Sequence, residues 1–107
     1  MLAKKFRLPS SVNMSHAKII RFPELLIKLQ ENGLSHSRFG FVVSKTIDKR
    51  AIARNRIKRV VRSVVEEAFL NKTKATDALF VIRPGIKSVE KTILRKRIRE
   101  IIGGVFL

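Results

Sequence analysis

The stretch Arg38-Phe39-Gly40-Phe41-Val42-Val43-Ser44, followed after six residues by Ala51-Ile52-Ala53-Arg54-Asn55-Arg56-Ile57-Lys58-Arg59-Val60-Val61-Arg62-Ser63-Val64-Val65, changes its period midway. That change decides the fold. In the first run Phe39, Phe41 and Val43 point to one face and Gly40, Val42 and Ser44 to the other, as a strand requires. In the second, Ala53, Ile57, Val60, Val61, Val64, Val65 and Ala68 follow the i, i+4, i+7, i+8 spacing of a helix with one buried stripe, predicted over about 51–70. Its β-branched valines lower helix propensity, so packing must hold it.

Charge is concentrated on the same segment. Between Lys45 and Arg62 stand Lys45, Lys49, Arg50, Arg54, Arg56, Lys58, Arg59 and Arg62, against one acid, Asp48. At roughly 100° per residue, Arg54, Lys58 and Arg62 form a row beside the apolar stripe. Asn55 and Arg59 continue the surface away from the core, and Arg56 lies near its far border. Like charges one turn apart repel, and a polyanion lying across them removes that penalty. The arginines at 54, 56, 59 and 62 suit bidentate phosphate contacts, with Lys58 as a point charge. Asn55 offers an amide to phosphate, a 2′-hydroxyl or a base edge, or caps a local turn. Lys45 and Arg50, on the approach to the helix, join the candidate nucleic-acid contacts.

Outward from this segment, residues 1 to about 14 read as an extended arm. Strands are predicted at His16 to Phe22, ended by Pro23, and at Leu25 to Gln30. Asn32-Gly33 supplies turn chemistry between the latter and Arg38 to Ser44, which predicts that these two pair as a hairpin. Asn71 to Thr76 is a polar connection, and Ala78 to Ile82 an apolar run of a strand buried on both faces. Arg83-Pro84-Gly85 ends it. Ser88 is the expected N-cap of a second helix whose stripe is Val89, Ile93, Leu94, Ile98, Ile101 and Ile102, and Gly103-Gly104 its expected stop. The predicted architecture is α+β: a sheet of about four strands packed by helices in a two-layer sandwich, ordered arm-βββαβα, in one domain spanning 1–107.

Composition narrows the function. The 107 residues carry 24 Lys and Arg against 8 Asp and Glu, a net charge of +16, with 45% apolar residues and no cysteine. That is enough apolar content for a core, and enough charge to call for nucleic acid or an anionic membrane surface. Disulfides and Cys-based zinc sites are excluded. No apolar run approaches the roughly 20 residues of a membrane span, and no signal-peptide core follows the two N-terminal lysines, so a cytoplasmic location is expected. The acids Glu24, Glu31, Asp48, Glu66, Glu67, Asp77, Glu90 and Glu100 are dispersed and form no paired carboxylates for Mg²⁺. His16 and His36 have no carboxylate beside them and read as surface residues. No glycine-rich phosphate loop precedes either helix. Catalytic side chains and a protein metal site are therefore not expected.

Two further features have bland readings. Arg95, Lys96, Arg97 and Arg99 read as the solvated side of the second helix. Phe22, Phe39 and Phe41 read first as core; on an open sheet face they would stack the bases of a single strand.

The strand Arg38-Phe39-Gly40-Phe41-Val42-Val43-Ser44-Lys45 and the helix Ala51-Ile52-Ala53-Arg54-Asn55-Arg56-Ile57-Lys58-Arg59 with Arg62 together resemble the bacterial ribonuclease P protein subunit; Ala78 to Pro84 is similar to its later strand. The resemblance implies an α+β sandwich with a left-handed βαβ crossover around the basic helix. It implies a catalytic RNA as partner, which itself performs the Mg²⁺-dependent removal of the 5′ leader of precursor tRNA, with Mg²⁺ bound mainly by the RNA. Lys45, Arg50, Arg54, Asn55, Arg56, Lys58, Arg59 and Arg62 would contact that RNA. A cleft on the sheet would hold the leader, with Phe22, Ile27, Phe39 and Phe41 as the candidate contacts, and the free protein would be monomeric. The N-terminal third departs from the family pattern: Ser10 to His16 offers no helical stripe, and the chain has no Tyr. The competing readings are a ribosomal-type or architectural RNA binder, then a DNA-binding module, then a metal-dependent nuclease.

Overall fold

The computed structural model describes residues 3–69 and 75–106. Four strands, β1 (Lys18–Arg21), β2 (Leu25–Glu31), β3 (Arg38–Val42) and β4 (Thr76–Ile82), form one sheet in the order β1-β2-β4-β3. Helix α1 (Ala51–Val64) connects β3 to β4, and α2 (Leu94–Phe106) follows β4. A π turn over Val65–Phe69 continues α1. The predicted helix end at Leu70, the Ala68 side chain and most of the 71–76 connection lie outside the described residues.

Both helices cover the same sheet face. Leu25, Ile27, Phe39, Ala78, Phe80 and Ile82 point from the sheet into a core closed by Val61, Val64 and Val65 from α1 and its π turn and by Ile98, Ile101 and Ile102 from α2. The register places Ile27, Phe80 and Phe41 side by side across three strands, and the Phe41 and Phe80 rings stack at 5.3 Å. The α+β sandwich and its element order are as the sequence predicts.

The predicted β2–β3 hairpin is not formed. The β1–β2 pair is the hairpin, its turn closed by the Phe22 N–H donating to the Leu25 carbonyl at 2.8 Å. β4 inserts between β2 and β3, antiparallel to one and parallel to the other. The cause lies in the apolar β4: as the central strand it buries Ala78, Phe80 and Ile82, which an edge place would leave open. The 32–37 loop crosses the start of β4 instead. There the buried Asp77 accepts from Arg38 Nε and Nη2, both at 2.8 Å, and from Asn32 Nδ2 at 2.9 Å. Gly33, at φ +69°, supplies the left-handed residue of that crossing.

Three smaller expectations also change. β4 is not buried throughout on both faces; on the face away from the helices Asp77 is buried but Leu79 and Val81 are half-buried, where the arm covers that side in part through Leu8. Ser88 is not a helix cap but the end of a 3₁₀ turn, Pro84–Ser88, which buries Ile86, and α2 begins six residues later. Gly103 and Gly104 do not stop α2, because Val105 and Phe106 beyond them pack on the core, with the Phe106 ring 6.2 Å from Phe80.

Candidate nucleic-acid interface

The connection from β3 to α1 is a folded loop. Ile47 is buried and anchors it. The Asp48 carboxylate accepts the Arg50 N–H at 2.9 Å and the Arg50 Nη2 at 3.0 Å. That guanidinium and N–H hold the Asp48 carboxyl well below the usual carboxylate range. Arg50 is the extended N-cap residue, without a side-chain cap, and the first turn of α1 contains no acid. Cations therefore crowd the positive end of the helix dipole, where acids are the stabilising choice. Arg54 turns back, its Nη1 donating to the Asp48 and Lys49 carbonyls, each at 2.9 Å.

The helix displays its charge as the spacing predicts. Lys45, Arg50, Asn55, Arg56 and Arg59 are exposed, while Arg54, Lys58 and Arg62 are half-buried along the border with the core. Among the described residues no carboxylate pairs with Arg56, Lys58, Arg59 or Arg62. The basic side of α2 does have acid partners. Arg97 Nε donates to Glu24 at 2.5 Å, and Arg95 and Arg99 share Glu67. The Arg97 contact holds the Glu24 carboxyl below its ordinary value against the opposing effect of burial. Burial pushes Asp77 upward, and the Arg38 and Asn32 hydrogen bonds outweigh it, leaving that carboxyl lowered as well. Glu24, Glu67 and Asp77 thus steady α2 and the sheet, and among the described residues the Arg56, Lys58, Arg59 and Arg62 face of α1 has no carboxylate partner.

Beside that face lies a groove of about 390 Å³ lined by Arg7, Leu8, Phe39, Gly40, Phe41, Lys58 and Arg62. The arm forms one wall: Arg7 bridges to Phe39 in parallel, and the Leu8 N–H donates to the Phe39 carbonyl at 2.9 Å. Gly40 permits this approach, since a Cβ there would meet Leu79 at 3.0 Å and Leu8 at 3.3 Å. Arg7 and Leu8 were invisible as groove residues in the sequence; the one signal was the run of cations Lys4, Lys5 and Arg7.

The candidate leader contacts separate. Phe41 is half-buried and lines the groove. Ile27 and Phe39 are 0% and 1% exposed, so their side chains are closed to any ligand. The aromatic face of β3 is the face the helices cover. Phe22 packs half-buried against the core at the opposite edge of the sheet, its carbonyl accepting from Arg83 at 3.1 Å.

Residues 10–105 match the sequence profile of the Ribonuclease P family. The chain belongs to that family. Among its relatives, the ribonuclease P protein component of a Marinomonas species is 37% identical over 75 residues, 70% of this chain and 56% of that protein. The component from Haemophilus influenzae is 40% identical over 73 residues, 65% of this chain and 58% of that protein. The matched region thus spans little more than half the length of these curated relatives. The fold is similar to that of the Staphylococcus aureus RNase P protein, a mutant with defective mRNA degradation activity, at a TM-score of 0.82, with 19% identity over 95% of this chain and 89% of that one. It is also similar to that of the Thermotoga maritima RNase P protein, at a TM-score of 0.67, with 22% identity over 84% of this chain and 81% of that one.

Among the described residues no three His, Asp or Glu side chains gather as metal ligands. The α1 face itself presents guanidinium, ammonium and one amide, a donor set that repels Mg²⁺ and attracts phosphate.

Proposed function

We propose that this protein is the protein subunit of a ribonuclease P ribonucleoprotein, acting in the cytoplasm as one RNA-binding domain, monomeric when free. Its α1 face and the preceding loop dock on the catalytic RNA through Lys45, Arg50, Asn55, Arg56, Lys58, Arg59 and Arg62, with Arg54 in the same row. The groove beside Phe41, with Arg7, Lys58 and Arg62 as its cations, takes the single-stranded 5′ leader of precursor tRNA, a base on the ring and phosphates on the charges. Mg²⁺ stays with RNA oxygens, and hydrolysis is the RNA's own chemistry. The protein supplies binding and orientation.

One observation carries this reading. In a member of the Ribonuclease P family, carboxylates pair with three arginines of α2 and with Arg38 of the sheet, while among the described residues Arg56, Lys58, Arg59 and Arg62 stand together without one. A merely solvated face would mix signs for the i, i+4 gain. Reconstitution tests it. The protein freed of RNA should cleave no precursor tRNA, and adding it to a bacterial ribonuclease P RNA should lower the Mg²⁺ needed for 5′ maturation. Cleavage by the RNA-free protein, or an unchanged Mg²⁺ requirement, defeats the proposal.

A further inference from the structure

Arg54 stands at the N-terminal end of the basic row, yet its guanidinium is turned back on its own chain. Nη1 donates to the carbonyls of Asp48 and Lys49 at 2.9 Å each, so both hydrogens of that nitrogen are used. These carbonyls lie just before the N-cap, in the loop that leads from β3 into α1. The Arg54 backbone N–H, donating to Arg50 at 3.1 Å, makes the first helical bond at the same place. The loop's other hydrogen bonds among the described residues, Asp48 with Arg50, Ser44 with Thr46 and the Ile47 N–H with the Ser44 carbonyl, are internal to 44–50 and do not reach into the helix. Asp48, the one acid of this segment, is thereby committed to shaping the loop, while Arg54 joins the loop to the helix.

We propose that Arg54 is a positioning residue for RNA docking: it fastens the 45–50 loop to α1, so that Lys45, Lys49 and Arg50 stand in fixed register with Arg56 and Arg59. The inference rests on the RNA-docking reading above and reassigns one member of its contact set. Its physical benefit is preorganisation, since cations on a loop already fixed lose less freedom when phosphates bind. Lysine is not its equivalent: its ammonium stands one bond nearer the main chain than Nη1, is more strongly hydrated, and leaves no second nitrogen free once it faces the two carbonyls.

The test uses the full chain and the ribonuclease P RNA of Haemophilus influenzae, with binding measured across a salt series. Amide hydrogen exchange on the free protein is the second readout. Arg54→Ala should speed exchange at Ile47 and Arg50, the loop amides held by hydrogen bonds, and leave the β2 and β4 amides unchanged. It should weaken RNA binding on the order of tenfold, and the salt slope should fall by more than the ~0.7–0.9 that one lost phosphate contact accounts for. Arg50→Ala should cost less affinity in the Arg54→Ala background than in the wild type. Arg54→Lys, which keeps the charge and serves if the alanine variant fails to fold, should show the same loosened loop and the same loss. Unaltered exchange with a one-phosphate drop in slope overturns the proposal in favour of direct contact, as do additive losses or full function of Arg54→Lys. If the wild type itself shows no salt-dependent binding, and Arg59→Ala changes nothing, the docking reading has failed rather than the role of Arg54 within it.

Discussion

At Asp77 a single carboxylate ties three segments together: Arg38 at the start of β3, Asn32 in the crossing loop, and β4 itself. Its side chain is 1% exposed against 22% for Arg38, so removing the acid strands an aligned guanidinium and an amide at the edge of the core. Asp77→Ala should therefore destabilise the fold by about 2–4 kcal/mol, most of it the penalty of the unpaired partners. Chemical denaturation of both proteins measures this, and a loss under about 1 kcal/mol would reduce the pair to a surface ion pair. A second residue under constraint is Gly85, where a Cβ would lie 2.2 Å from the Pro23 carbonyl oxygen. The hairpin turn of β1–β2 rests on that glycine, and Arg83 holds it from both sides through the carbonyls of Phe22 and Glu24. Backbone, not a flexible side chain, is what any larger residue at 85 would have to displace.

At the scale of elements, α1 and α2 look alike as sequences, each an apolar stripe with a basic back, and they differ in where the acids fall. Glu24, in the β1–β2 turn, reaches Arg97 across 73 positions, and Glu67 reaches Arg95 and Arg99 from the π turn after α1. Replacing Arg56 and Arg59 together by alanine should weaken RNA binding by tenfold or more and lower the salt slope by about 1.4–1.8, two phosphates' worth. The same change at Lys96 and Arg99 should leave affinity within about threefold, their charges being distant surface contributions. Equal losses from the two pairs would remove α1 as the docking element. Periodicity made α1 legible, its start at Ala51 and its basic face included, because both depend on residues within two turns. What could not be read depends on long-range placement. The turn signal at Asn32-Gly33 was real, yet a strand 45 residues away from Asn32 took the place beside β2. Ser88 had the right chemistry for a cap, but burying Ile86 used that segment as a plug. The glycines at 103 and 104 weaken a helix by about 1 kcal/mol each, and the burial of Val105 and Phe106 outweighed them. Ile27 and Phe39 were leader candidates until the covered sheet face was known.

For the whole molecule, the eight carboxylates temper a large positive charge, and protonating all of them would bring the formal charge to 16 + 8 = +24. Glu24 and Asp77 have folded-state values lowered by their arginine partners. A lowered folded value means the ionised form is favoured by folding. The stabilisation is therefore complete above the unfolded values, about 4.3 for Glu and 3.9 for Asp, and disappears as pH falls through the lower folded ones. Thermal stability should accordingly stay level from neutral pH down to about 5, then fall steeply below about 4. Two contributions drive that fall, and salt separates them. Self-repulsion among the cations is long-ranged and screened over about 8 Å at physiological ionic strength, so added salt should raise the melting temperature at neutral pH and recover part of the acid loss. Loss of the Glu24–Arg97 and Asp77–Arg38 pairs is a contact effect that salt does not restore. In the Asp77→Ala variant, the part of the acid transition that salt cannot recover should therefore shrink. RNA should stabilise the folded protein at neutral pH more than the same concentration of monovalent phosphate does, because a polyanion spans the whole α1 face at once. A melting temperature indifferent to both salt and RNA would mean that the cations of α1 neither strain the free protein nor gain from a partner, and the electrostatic case for docking would fall with it.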